Sequence, residues 1–155
     1  MNIIKDVISN SVLLSALFSW FIAQFLKIII EIINNRKFTT RDFIFRAILG
    51  TGGMPSSHSA SVTAIAVSIG MKEGFNTSIF AMAFVLVIIV IRDATGVRLS
   101  AGRQAGAINQ IQEELYSRYN VSYKKVKEVR GHTPLECFVG VFVGLLVSLG
   151  IYLLD

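Results

Sequence analysis

The sequence predicts an all-α fold: a polytopic transmembrane helical bundle of about four spans, with one further short or interfacial helix. Three observations carry that prediction. Of 155 residues, 53% are apolar and only 16% charged, a balance far from that of an ordinary soluble domain. Two apolar runs, Val12 to Ile33 and Leu135 to Leu154, can each cross a hydrocarbon core of about 30 Å at about 1.5 Å rise per residue. The basic residues gather between the apolar runs rather than inside them. Length allows one domain, residues 1–155, and no repeat, low-complexity stretch or long linker divides it.

Taken in chain order, Met1 to Ser19 lacks the strongly basic start and small-residue cleavage site of a secretory signal, so this segment is expected to stay as part of the first span. That span, Val12 to Ile33, carries only Lys27 and Glu31 as charges. Ser56 to Met71 is shorter and rich in Ser, Ala and Gly, residues that let helices pack closely in lipid. Ser78 to Ile91 is shorter too, and both are read as spans because no soluble core is left for them to join. The helix is expected to continue past Arg92 through residues 94–119, bending into the interface, before a basic exposed connection from Tyr116 to Arg130. Leu135 to Leu154 closes the bundle.

Charge gives the orientation. Asn34 to Arg46 holds Arg36, Lys37, Arg41 and Arg46 against Asp42 alone, and the segment from Arg92 to His132 is also strongly basic, whereas Lys72 to Thr77 carries one charge of each sign. Positive loops stay on the cytoplasmic side. Both termini are therefore expected outside, with the motif-bearing loops cytoplasmic. The net charge of +5 is read as a cytoplasmic face meeting anionic lipid, not as a nucleic-acid site.

Two segments carry candidate chemistry. Gly52-Gly53-Met54-Pro55-Ser56-Ser57-His58 reads as a tight turn into a helix with Pro55 at its first position. Free N–H groups at such a start, the hydroxyls of Ser56 and Ser57, and His58 in the first turn suit an anion. The plain alternative is a helix start with a hydrogen-bonded interfacial histidine. Gly131-His132-Thr133-Pro134-Leu135-Glu136 contains Thr-x-x-Glu with proline at the first helical position, a capping box. Glu136 is thus a cap, a partner that fixes the His132 imidazole, or both. Asp93, ending an apolar run, requires a cation, for which Arg92, Arg98 and Lys27 are candidates. Lys27 is either a functional intramembrane cation or a snorkelling lysine. Spacings of eleven residues put Asp93 with Gln104, and Arg98 with Asn109, on shared helix faces.

Other chemistries find little support. The sequence has no Gly-x-x-x-x-Gly-Lys-Ser loop, no His-Glu-x-x-His and no paired cysteines, since Cys137 stands alone. Histidines beside helix N-termini favour anions over a metal ion. No metal and no cofactor is expected.

Thr51 to Ala60, Arg92 to Arg98, Ala101 to Asn109 and Gly131 to Glu136, with Gln24 and Lys27, resemble the divergent branch of the type 2 phosphatidic acid phosphatase family. These are small integral membrane proteins of bacteria and chloroplasts, related to acid phosphatases and vanadium haloperoxidases. The resemblance implies a bacterial plasma-membrane protein acting on a phosphorylated lipid or other membrane phosphate. It implies that His132 attacks phosphorus to form a phosphohistidine, that Glu136 orients it and that His58 is the general acid. Ser56 and Ser57 are expected to donate to phosphate; Lys27, Arg98 and Arg130 are the candidate cations, because the superfamily's own phosphate-binding cations have no match here, with Asp93, Gln104 and Asn109 in support. The chain departs from the wider superfamily: Ser57 stands in place of glycine, Glu136 in place of aspartate, and Val126 where an arginine belongs; the early lysine-to-arginine-proline motif is absent. Two readings follow. One is a metal-independent phosphatase for a lipid phosphate or isoprenyl diphosphate; the other is a non-catalytic lipid-phosphate binder or carrier. A third, purely structural role would leave the histidines as caps and packing groups.

Overall fold

A computed structural model describes residues 3–33 and 52–155, and every described element is helical. The basic stretch Asn34 to Arg46, on which the predicted orientation partly rests, lies outside the described residues, as does Thr51. The helices are α1 (Ile3–Ile8), α2 (Ser11–Ile33), α3 (Ser57–Glu73), α4 (Ser78–Arg92), α5 (Arg98–Tyr119) and α6 (Pro134–Leu154), and a π-helical turn, Asp93–Val97, joins α4 to α5.

The bundle buries small and polar side chains and exposes large apolar ones. On α2 the inward stripe is Ser11, Ser15, Ser19, Ala23 and Lys27, at fourfold spacing, with Gln24 beside it. Leu17, Phe18, Phe21 and Phe25 of the same helix face outward. Water would drive the opposite arrangement, whereas in lipid the association of helices depends on close packing. Asn10 starts α2 by accepting hydrogen bonds from the backbone N–H groups of Val12 at 3.0 Å and Leu13 at 3.2 Å.

α3 lies at the centre, packed against α2, α4 and α6. Its buried side chains include Ser59, Ala60, Thr63, Ala64, Ala66 and Ser68. The Ser61 hydroxyl donates to the Ala16 carbonyl of α2 at 3.3 Å. Gly140 and Gly144 of α6 lie directly on the carbonyls of Ser56 and Ala60. Consequently α6 runs parallel to α3, its start extending beyond that of α3 because Gly140 in its second turn meets the Ser56 cap, while α2 runs antiparallel to both. At the opposite end Lys72 pairs with Asp155 at 2.6 Å, and that hydrogen bond holds the Asp155 carboxyl below the usual aspartate value.

Among the described residues, three helices are long and apolar enough to cross a bilayer: Ser11–Ile33, the continuous Ser78–Tyr119 and Pro134–Leu154. By that measure the expected count of about four is not confirmed, because α3 has 17 residues and many of them are Ser, Ala or Thr. A helix walled in by its neighbours has little lipid to meet, so its sequence is free to lose apolar bulk. α4 shows the converse: Ala83 is its one buried residue, and Met82, Phe84, Val85, Leu86, Ile88 and Ile89 are exposed.

Pro55 does not occupy the first helical position as predicted. α3 begins at Ser57, and Ser56 is its N-cap, accepting from the Ser59 N–H at 3.4 Å. Gly52 and Gly53 do make the preceding turn, with φ of 90° and 86°, values that glycine adopts readily.

The α3–α6 contact is testable. Gly140→Ala or Gly144→Ala places a methyl group onto a carbonyl of α3 and is expected to destabilise the bundle by about 1–3 kcal/mol. A methyl at Gly150 meets nothing within 4 Å, so Gly150→Ala is expected to be neutral or stabilising. Thermal unfolding in detergent micelles reads the difference.

Candidate functional site

The parallel packing of α3 on α6 brings the two histidine segments to the same end of the bundle. The Ser56 N–H donates to the Glu136 carbonyl at 3.0 Å, and the His132 N–H donates to the Ala94 carbonyl at 3.0 Å, tying both segments to each other and to the end of α4. A cavity of about 230 Å³ opens there, lined by His58, Ile89, Val90, Asp93, Ala94, Arg98, Arg130 and His132. Its polar groups are two imidazoles, two guanidinium groups and one carboxylate. That set favours an anion.

His132 is the fixed member. It is 5% exposed, and its Nδ1 lies 2.9 Å from Glu136 Oε2. An Nδ1–H donated to that carboxylate leaves Nε2 with its lone pair. The same Oε2 accepts from the Thr133 N–H at 3.2 Å, and Thr133 Oγ1 accepts from the Glu136 N–H at 3.4 Å, completing the capping box. Glu136 is therefore both cap and imidazole partner. His58, in the first turn of α3, is exposed towards the opening. Arg98, His132, Lys27 and Asp93 all lie within its electrostatic reach.

The π-helical turn explains how Asp93 and Arg98 meet. In an α-helix, residues five apart point about 140° away from each other. Here the Arg98 N–H bonds to the Asp93 carbonyl, an i to i+5 pattern that stacks the two residues on one side. Their side chains form a salt bridge. One guanidinium N–H goes to Asp93, and others remain to face the cavity. Of the cations considered for Asp93, Arg98 is the one that pairs with it.

After α5 the chain doubles back. Val126 lies against Asn109, Glu128 near Gly106, Val129 against Gly102 and Gly131 against Leu99. Leu99 to Asn109 spans about 15 Å of helix, and Val126 to Gly131 covers about 17 Å when extended. The return strand thus descends α5 nearly in register and delivers Arg130 and His132 to the cavity. Close approach at Gly102 and Gly131 leaves no room for a Cβ.

Other predicted residues sit elsewhere. Ser56 and Ser57 are buried off the cavity wall, and the Ser56 hydroxyl caps α3 and accepts from the Ser59 hydroxyl at 3.1 Å. Lys27 is buried on α2 against Gly53 and near Glu31 and Glu136, and is not among the residues lining the cavity. Gln104 is exposed and bonds to Ser100 at 3.3 Å. Asn109 lies beside the return strand, away from the cavity. Ile89, Val90 and Ala94, an apolar wall, were not anticipated. Their signal was available, because positions three and four before Asp93 share its helix face.

Fold and site together define a class: a small helical integral membrane protein with a cationic, histidine-bearing cavity at one end of its bundle. The chain belongs to the Divergent PAP2 family, whose model matches residues 8–147. It is 36% identical over 155 residues to the "Uncharacterized membrane protein YuiD" of Bacillus subtilis (strain 168), an alignment covering 93% of this chain and 95% of that protein. No solved structure matches.

Gly131→Ala pushes a methyl group into the backbone of Leu99. It is expected to cost about 1–3 kcal/mol and to move the His132 imidazole nitrogen resonances, while Gly96→Ala, where the space is open, leaves them in place. Nitrogen NMR of histidine-labelled protein in micelles checks this.

Proposed function

We propose that this protein hydrolyses a phosphomonoester or diphosphate of a membrane lipid, such as phosphatidate or an isoprenyl diphosphate, through a phosphohistidine at the cytoplasmic face. One observation carries the reading: both histidines and two arginines line a single cavity, and one of the histidines has its Nδ1 held by a carboxylate. His132 Nε2 attacks phosphorus, and the bond to the leaving oxygen breaks as His58 supplies its proton. Water then attacks the phosphohistidine, giving its proton to His58, and inorganic phosphate leaves. Glu136 stabilises the cationic His132 that forms. Arg98 and Arg130 offset charge on the equatorial oxygens in the transition state. The apolar wall of Ile89 and Val90 suits a substrate whose phosphate is joined to a lipid chain.

The second reading, a non-catalytic binder, draws support from two features: Val126 stands where the superfamily has an arginine, and Arg98 spends part of its guanidinium on Asp93. Turnover separates the two. Purified protein in detergent is expected to release phosphate from phosphatidate or isoprenyl diphosphate, to lose that release in His132→Ala, and to lose about 100-fold in Arg98→Ala. Saturable binding of these lipids without release establishes the binder instead.

We read α3 as a fourth span, because it runs alongside α2 and α6 through the same thickness, and we place the motif end of the bundle in the cytoplasm. Ser100→Cys in a Cys137→Ala background is then expected to resist membrane-impermeant thiol reagents applied to intact cells. Ready labelling reverses the orientation.

A further inference from the structure

Residues 121–131 carry no regular structure, yet they deliver Arg130 and His132 to the cavity. Among the described residues, the hydrogen bonds that tie this stretch to the rest of the chain all come from one side chain. Asn109 Nδ2 donates to the Val126 carbonyl at 2.9 Å, Asn109 Oδ1 accepts from the Val126 N–H at 2.8 Å, and Nδ2 donates again to Glu128 Oε1 at 2.9 Å. A carboxamide offers a donor and an acceptor side by side, as a peptide group does. Asn109 therefore stands in for the partner strand that an extended segment ordinarily requires. Its remaining proton goes to a carboxylate, which strengthens the clamp. The side chain is 7% exposed, so water does not readily replace these bonds.

We propose that Asn109 is a positioning residue for the cavity: by clamping Val126 and Glu128 to α5 it sets the height at which Arg130 and His132 enter the site. The catalytic meaning of this role rests on His132 being the reacting group, but the clamp itself does not. Below Asn109 the strand is guided only by close contact, Val129 against Gly102 and Gly131 against Leu99, until the His132 N–H reaches the Ala94 carbonyl. Such contacts limit how near the strand comes to α5, and they do not stop it sliding. The bonds to Asn109 do. Position 109 needs both a donor and an acceptor at this reach. Aspartate keeps the acceptor for the Val126 N–H but faces the Val126 carbonyl and the Glu128 carboxylate with no proton to give.

The test exchanges the two groups. Asn109→Asp is expected to move the His132 imidazole nitrogen resonances in micelles and to weaken orthovanadate binding by at least about tenfold, while the thermal midpoint of the bundle changes little. Glu128→Gln alone is expected to behave as wild type, because its amide oxygen still accepts from Asn109. The double variant N109D/E128Q restores the donor between positions 109 and 128, though not the one to the Val126 carbonyl, and is expected to recover the resonances and vanadate affinity in part. If the single variant leaves the His132 resonances unmoved, or if the double variant is no better than the single, Asn109 does not position this site. Should N109D not fold, N109S, which keeps one donor and one acceptor, is expected to show the same changes in smaller measure, and unmoved resonances in that variant overturn the proposal equally. Failure of the wild type to bind vanadate rejects the phosphatase reading, and the resonances then decide the clamp by themselves.

Discussion

The carbonyls of Ser56 and Ala60 rest on Gly140 and Gly144, and this backbone contact holds α3 and α6 parallel in one register, the first turn of α3 against the second turn of α6. His58 lies in the first turn of α3, and His132 lies just before the cap of α6. A different register between the two helices would separate the histidines that now line one cavity. The Ser56 N–H bond to the Glu136 carbonyl locks the same register from the polar end. A packing constraint inside the bundle thus becomes a distance constraint at its surface.

The same constraint explains the sequence's odd distribution of polarity. α3 carries serines, alanines and threonines because it is surrounded, and α4 carries bulky apolar residues because it is not. In water this arrangement would be unstable. In hydrocarbon it lets backbones approach closely while serine hydroxyls return hydrogen bonds to their own helices, as Ser15 does to the Ser11 carbonyl at 2.7 Å. Lys27, 4% exposed on α2, fits this scheme as a buried charge close to Glu31 and Glu136.

Several groups serve two purposes at once. Glu136 closes the capping box and holds His132, because the residue that comes third in the helix also faces back towards the residue preceding the cap. Ser56 is committed to capping α3, which takes its hydroxyl out of the cavity. The π-helical turn costs α4 and α5 a regular hydrogen-bond pattern, and it brings Arg98 over Asp93 and leaves the Ala94 carbonyl to accept from His132. The two guanidinium groups that line the cavity are delivered by separate devices, the π turn for Arg98 and the return strand for Arg130.

Much of this was legible in the residues themselves. Apolar run lengths mark the helices at each end of the bundle, Thr133-x-x-Glu136 marks the last helix start, and the histidine motifs point to the site, since each of these depends on neighbours close in sequence. The small-residue content of Ser56 to Met71 signals tight packing but not its geometry. Which serines cap and which face a cavity depends on where α3 begins, two residues later than Pro55 suggested. The eleven-residue spacing that paired Asp93 with Gln104 assumed an unbroken α-helix, and the π turn changes the angle between them; Arg98 and Asn109 lie within one regular helix, yet one faces the cavity and the other the return strand. By itself, then, the sequence determined the helices, the family and the two histidine motifs, all products of local patterning. Only the tertiary structure decided which cations accompany them, because Arg98 and Arg130 reach the cavity through a change of helical register and a strand folded back on α5, and both arise from contacts between residues far apart or from a shift that no local composition rule encodes.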